Sequence, residues 1–324
     1  MRVLSGIQSS GKLHLGNYFG AMKQHIEDQA RHESFIFIAN YHALNTINDA
    51  ALARQLTRDV ALDYLALGLD PAKACLFRQS DVPEVCELAW ILGTVTGMGL
   101  LERAHAYKDK IAQGQSASVG LFTYPVLMAA DILIYRSNLV PVGRDQVQHI
   151  EMTQDMAGYF NTRYGCDVFV RPEAKLNDAA IVPGVDGQKM SKSYGNTIDL
   201  FDDAKSARKK IMGIKTDSTP VDQAKNPDSC NVFALLKLML PSAELAEWEQ
   251  RYRAPGMGYG DAKKRLAERF EELFGPAREK RLALENDPAY VEDVLAAGGR
   301  RARAVACATM DDVREACGIV TAKR

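Results

Sequence analysis

Strong charge of either sign is missing from this chain. Its 324 residues carry 40 Lys+Arg against 41 Asp+Glu, a formal net charge of −1, so no overall basic field marks it for a nucleic-acid backbone. Paired cysteines are missing too. Cys75, Cys86, Cys166, Cys230, Cys307 and Cys317 form no CxxC, which removes the usual spacing of a structural zinc or iron–sulfur site. They read as reduced thiols of a cytosolic protein, and no metal site on the protein itself is expected. No apolar run reaches the ~18 residues of a membrane span, and MRVLSGIQ holds no signal-peptide-like apolar region. A cytoplasmic protein without membrane contact is therefore expected. Internal repeats and low-complexity tracts are absent as well. The remaining composition is that of an ordinary globular protein, 47% apolar and 25% charged, with length for one large or two moderate domains.

The first part of the chain alternates short apolar runs with helical periodicity. Arg2–Ile7, Phe35–Ala39, Ala74–Phe77 and Leu139–Val142 read as strands, with Val168–Val170 and Ala180–Val182 as later candidates. Helices are expected over Asn17–Gln29, over Ala50–Leu67 behind an Asp49 cap and before Gly68, from Pro125 through Tyr135, and over Asp145–Phe160. Helical patterns also continue from Ala74–Phe77 to about Ile111. This alternation implies a doubly wound, mostly parallel α/β sheet. After Asp202 the pattern is helical throughout: Ala204–Met212, Val232–Leu240, Ala243–Tyr252, Tyr259–Phe274 and much of Asp287–Gly318. A boundary near residue 197 is expected, α/β before it and all-α after it. Basic residues gather in the second part, from Lys205, Arg208, Lys209 and Lys210 to Arg300, Arg301 and Arg303. Singly they suit solvated helix faces; together they are compatible with phosphate-backbone contact.

Two polar loops carry chemistry. In SGIQSSGKLHLGNYFGA, Ser5–Ala21, the chain leaves a strand, crosses Gln8–Lys12 and starts a helix near Gly16. Such a turn is where α/β folds take nucleotides, facing a helix N-terminus, though the spacing is neither GxGxxG nor a P-loop. Gly16 would let a nucleotide approach, and His14 and Asn17 can hydrogen-bond phosphate oxygens. The second loop is GQKMSKSYGN, Gly187–Asn196, with two lysines three apart between glycines. Those residue types suit a mobile arm that grips phosphate.

The two loops together resemble the signatures of the class I aminoacyl-tRNA synthetases. HLGN at His14–Asn17 is similar to the family's HIGH motif, and Lys189–Ser193 matches its KMSKS motif in full, in the expected order. SGIQSSGKLHLGNYFGA and YPVLMAADILIY (Tyr124–Tyr135) look like the tryptophan-specific branch of that family, as does VGRDQVQHIE (Val142–Glu151). The resemblance implies a Rossmann-like catalytic domain over 1–197 with a connective segment at about 80–135. It implies a helical tRNA- and anticodon-binding domain over 198–324, whose last helix packs back on the catalytic domain. It further implies L-tryptophan, ATP with Mg2+, and tRNA(Trp) as partners, a homodimer with Trp90–Lys110 near its interface, and no covalent nucleophile on the protein. His14, Asn17, Lys189 and Lys192 would then be catalytic. ATP would meet Gln8, Ser9, Ser10, Gly16, Asn17, Gly143, Arg144, Asp145, Lys189, Met190, Ser191, Lys192 and Ser193, with Ile181 or Val182 at the adenine.

For the amino acid, Tyr124, Met128, Asp131 and Tyr135 share one helix face by their spacing. A carboxylate among apolar neighbours needs a partner, and an indole ring offers a single N–H on an apolar body. Asp131 is expected to accept that N–H while Met128 and Tyr124 pack the ring, with His42 and Gln146 near the substrate. Three departures from the family pattern stand out: Arg144 where an acidic residue is usual, Ser9 where proline is usual, and AAIVPGVDGQ in place of a longer run. Competing readings are a tyrosine-specific relative, a binding protein of the same fold without catalysis, and a shorter nucleotidyl transferase of the superfamily.

Overall fold

The computed structural model describes residues 1–9, 11–104, 118–176 and 182–320. Among them, five parallel strands form one sheet in the order β3-β2-β1-β4-β5. They are β1 (Arg2–Ile7), β2 (Glu33–Ile38), β3 (Ala74–Arg78), β4 (Leu139–Val142) and β5 (Glu173–Leu176). The apolar FIFI run of β2 reflects burial on both faces, as parallel strands require. Ile36 and Ile38 enter one core, Phe35 and Phe37 the other.

Helices cover both faces. The first, α1, runs over Leu15–Asn17, a π turn at Tyr18–Met22, and Lys23–Asp28. Then come α2 (Asn40–Ala43), α3 (Ala50–Ala66), α4 (Glu84–Val95), α5 (Met98–Glu102), α6 (Val119–Leu133) and α7 (Val147–Tyr164). Asp49 caps α3 as its position suggests, accepting the Ala51 and Leu52 N–H groups at 2.7 and 2.9 Å. Five further helices follow: α8 (Ala204–Met212), α9 (Asn231–Met239), α10 (Ser242–Arg253), α11 (Tyr259–Glu285) and α12 (Pro288–Cys317). No strand lies among the described residues after Asp202, and none of their helices is long and apolar enough to cross a membrane. One core is continuous from Leu15 and Leu65 through Met190 and Ile198 to Leu236 and Phe270.

Three expectations are corrected. Helix α6 starts at Val119, where the Ser118 hydroxyl accepts the Leu121 N–H at 3.1 Å, so Pro125 lies inside it rather than at its start. The cap decides the first turn, and the proline further in removes one main-chain bond and crowds the carbonyl four residues back, a cost that its burial in the core offsets. Val168–Val170 is not a strand. The Asn161 side chain satisfies Phe169, donating to its carbonyl at 2.9 Å and accepting its N–H at 3.2 Å, and the strand forms instead at Glu173–Leu176 beside β4. Of the expected strand Ala180–Val182 only Val182 is described; its carbonyl accepts the Met190 N–H at 2.9 Å, next to a Pro183–Lys189 antiparallel bridge. Finally, α11 continues past Phe274 through Gly275 and Pro276. Ser10, Ala180, Ile181, residues 105–110 of the expected interface segment and the expected end of the helical stretch at Ile111 lie outside the described residues.

Helix α12 lies along the free edge of β3. A Cβ on Gly298 would come within 1.8 Å of the Leu76 carbonyl oxygen, so glycine alone allows this approach. The Cys75 thiol donates to the Gly298 carbonyl at 3.1 Å.

Candidate active site

Strand order reverses at β1, with β2 on one side and β4 on the other. The crevice beyond the carboxyl ends at such a point is where doubly wound sheets hold ligands. A cavity of about 470 Å³ opens there, and Gln8, His42, Tyr124, Met128, Asp131, Gly143 and Gln146 all line it. Gln8 and Gly143 follow the carboxyl ends of β1 and β4, His42 lies in α2 just after β2, and one face of α6 brings Tyr124, Met128 and Asp131. Tyr135, the fourth residue of the expected helix face, does not join them. It follows the end of α6 and stacks on Phe35 with ring centres 5.3 Å apart.

Asp131 is 3% exposed and finds its partners in side chains. His42 Nε2 lies 2.9 Å from Oδ2, and Gln79 Nε2 donates to both carboxylate oxygens at 2.9 Å. Burial raises the Asp131 pKa, opposed by the hydrogen bonds and charge of His42 and by Gln79. Tyr124 shares a 2.7 Å hydrogen bond with His149 Nε2, and Gln146 donates to Asp145 at 2.9 Å.

The two motif loops are tied together by main chain. Leu15 N–H donates to the Ile198 carbonyl at 3.0 Å and Leu200 N–H to the Leu13 carbonyl at 3.1 Å. His14 therefore faces Asp199 in a short antiparallel bridge. Its ring is buried, Nδ1 has no partner among the described residues, and burial followed by the nearby Lys192 charge lowers its pKa to about 4. Asn17 Oδ1 accepts the His14 N–H at 3.0 Å. A Cβ on Gly16 would meet the His14 ring at 2.9 Å and Met190 Cβ at 3.5 Å. Across the loop, a Cβ on Gly11, which has φ +118°, would sit 3.3 Å from Lys192 Nζ. The Lys192 ammonium thus hangs over the turn after β1. Burial lowers its pKa, opposed by Asp199 and Asp63.

Other expected residues fall as follows. Met190 is buried in the core, Ser9 is buried with its hydroxyl unpartnered among the described residues, and Lys189, Ser193, Arg144 and Asp145 are exposed. Several of the gathered basic residues are committed within the chain: Lys210 to Asp199 and Asp202, Arg265 to Glu244, Arg278 to Glu271 and Arg303 to Glu84. Among the described residues no group of three or more His, Cys, Asp or Glu could hold a metal ion.

Two residues escaped the sequence reading. Gln79 follows the end of β3, a position that in this topology faces the crevice, and that is its only signal. Asn196 closes the KMSKS stretch. It is buried, its Oδ1 accepts the Ser191 N–H at 2.8 Å, and its Nδ2 donates to Asp186 at 2.8 Å and to the Lys189 carbonyl at 3.1 Å.

The family described as tRNA synthetases class I (W and Y) matches residues 1–275. A tryptophan–tRNA ligase of Rhodopirellula baltica is 55% identical over 320 residues, 98% of this chain and 100% of its own. One from Fusobacterium nucleatum is 51% identical, covering 98% of each. The crystal structure of tryptophanyl-tRNA synthetase from Campylobacter jejuni complexed with ADP and tryptophan matches with a TM-score of 0.91 at 48% identity, covering 98% of this chain and 100% of that one.

Proposed function

The chain belongs to the class I tRNA synthetases (W and Y), and from that premise we propose that it is a tryptophan–tRNA ligase. It activates L-tryptophan with ATP to tryptophanyl-adenylate and passes the tryptophanyl group to the 3' end of tRNA(Trp). The observation that carries the choice of amino acid is the buried Asp131 carboxylate on the cavity wall, held on the helix that also brings Met128 and Ile132 to that wall. A buried carboxylate acceptor with apolar neighbours suits an indole N–H on its apolar ring.

In the first step a tryptophan carboxylate oxygen bonds to the α-phosphorus of ATP. The bond from that phosphorus to the bridging oxygen breaks, and pyrophosphate leaves. The substrate is its own nucleophile, so the protein contributes orientation and charge. Neutral His14, with its unpartnered Nδ1, and the Asn17 amide address the phosphates from the α1 side. Lys189 and Lys192 close from the other, with Gln8 and Ser9 along the approach and Gly143 to Asp145 opposite. Mg2+ travels with the phosphates of ATP. In the second step the terminal ribose hydroxyl of the tRNA attacks the tryptophanyl carbonyl, and AMP leaves.

The division near residue 197 separates catalysis from tRNA contact in this reading, with Lys205, Arg208 and Lys209 exposed on α8 for the nucleic acid. A homodimer is part of the same proposal: Trp90, Met98 and Val119 are 77%, 62% and 79% exposed, large apolar surfaces of the kind an interface covers. The enzyme works in the cytoplasm beside its tRNA. Amino-acid-dependent ATP–pyrophosphate exchange tests the assignment. Exchange with tryptophan and not tyrosine is expected; exchange with tyrosine instead overturns the pocket, and exchange with neither overturns the activity.

A further inference from the structure

Asp131 is not aimed by its own helix alone. Gln79, 2% exposed, is the first residue of a 3-10 turn at the end of β3. Its Oε1 accepts the main-chain N–H groups of Tyr41 and His42 at 3.0 and 3.4 Å. With the amide oxygen committed to those donors, Nε2 must face Asp131, where it reaches both oxygens at 2.9 Å. An amide NH2 can only donate, so it matches an ionised, acceptor-only carboxylate. The titratable neighbours are His42 on α2, Cys86 on α4 and Tyr135 beyond α6. No Lys or Arg pairs with Asp131 among the described residues, so donors from Gln79 and His42 hold the charge. An ionised carboxylate has about four acceptor positions, and these partners leave room for one more donor.

We propose that Gln79 is a specificity-determining positioning residue: it holds Asp131 as an aimed, acceptor-only carboxylate and clamps the start of α2, so that the cavity selects an amino acid whose ring carries an N–H donor. This rests on the reading of the cavity as the tryptophan pocket. Once Gln79 is lost, a buried Asp131 with one fewer donor turns or takes a proton, and the neutral carboxyl then offers the ring N–H a weaker acceptor beside an O–H donor. A site that reads one polar group discriminates because its own buried partner would otherwise stay unpaired.

The test is ATP–pyrophosphate exchange with tryptophan and with 1-methyltryptophan, whose ring nitrogen has no hydrogen. Gln79→Met keeps the length of the side chain and removes both of its hydrogen-bonding ends. The expected result is a KM for tryptophan raised about 10- to 100-fold, a KM for ATP within about twofold of the parent, and a smaller preference for tryptophan over its methylated analogue. Equal rises in both KM values, or an undiminished preference, would overturn the proposal. Should Gln79→Met fail to fold, Gln79→Glu carries the same readouts with the shape kept and a second carboxylate facing the first. Asp131→Asn separates the two levels. If it leaves KM and preference unchanged, the pocket reading fails and Gln79 with it; if it erases the preference while Gln79 variants keep theirs, only the role of Gln79 falls.

Discussion

Gly16→Ala should raise helix propensity and lower activity, two effects of opposite sign. Gly16 has no positive φ and lies in the first turn of α1, where alanine is favoured by up to about 1 kcal/mol. The added methyl carbon would stand 2.9 Å from Cε1 and Nδ1 of His14, inside the ordinary 3.5–4.0 Å contact of carbon atoms. The ring has to retreat by about half an ångström or turn, because Met190 Cβ, at 3.5 Å, blocks the methyl from moving the other way. Overpacking of this kind costs about 1–3 kcal/mol when a core must yield. Here one ring yields, so the net stability change should stay within about 1 kcal/mol. The functional loss is one hydrogen bond to a charged phosphate, about 1.5–3 kcal/mol, or about 10- to 150-fold in kcat/KM for ATP. Pyrophosphate exchange at saturating tryptophan with ATP varied measures the second quantity, and a urea unfolding midpoint the first. An unaltered kcat/KM for ATP, or a loss that tracks the fall in midpoint, would refute the placement of His14 against the phosphates.

Three further outcomes are expected. Gly298→Ala should cost about 3 kcal/mol by driving α12 from the Leu76 carbonyl, whereas Gly158→Ala, in α7 with nothing within 4 Å of a new Cβ, should be neutral or up to about 1 kcal/mol stabilising; equal urea midpoints would deny the close approach. Asn196→Ala should slow adenylate formation about 10- to 100-fold with little change in tryptophan KM, because only the KMSKS loop loses its staples; a parallel loss of tryptophan affinity would speak against it. His25 is buried, hydrogen-bonded to Tyr64 at 2.7 Å, and held by burial at a pKa of about 4. The unfolded chain takes up this proton first as pH falls from 6.5, so folded-state stability should drop between pH 6.5 and 4 and be indifferent to this group above 6.5. His25→Gln should flatten that acid limb in unfolding curves measured from pH 8 to 4; an unchanged slope would show that His25 does not titrate in this way.

What could be read beforehand was what depends on local pattern. The strands Arg2–Ile7 and Leu139–Val142 and the cap at Asp49 follow from runs and spacings within a few residues. Asp131 was legible because a carboxylate on an apolar helix face is conspicuous, but its partners were not. Gln79 lies 52 positions away, and a glutamine after a strand looks like any polar turn residue. The bridge between Leu13–Leu15 and Ile198–Leu200 has too few bonds to leave a period in either segment, yet it holds the two motif loops together. The last strand was misplaced because Val168–Val170 has the better β-forming residues. Pairing with β4 selected EAKL, and an asparagine side chain satisfied the more apolar run.

Because α12 seals β3, this sheet is finished late in synthesis. The Cys75 thiol meets a carbonyl 223 residues further along the chain. At ribosomal rates of about 5–20 residues per second, that separation corresponds to a delay on the order of 10 to 40 seconds. During this interval β3 presents an open row of main-chain groups, the kind of edge on which nascent chains pair with one another. Cellular yield of the folded enzyme should therefore respond to what shelters β3 during translation as much as to any contact in the finished protein.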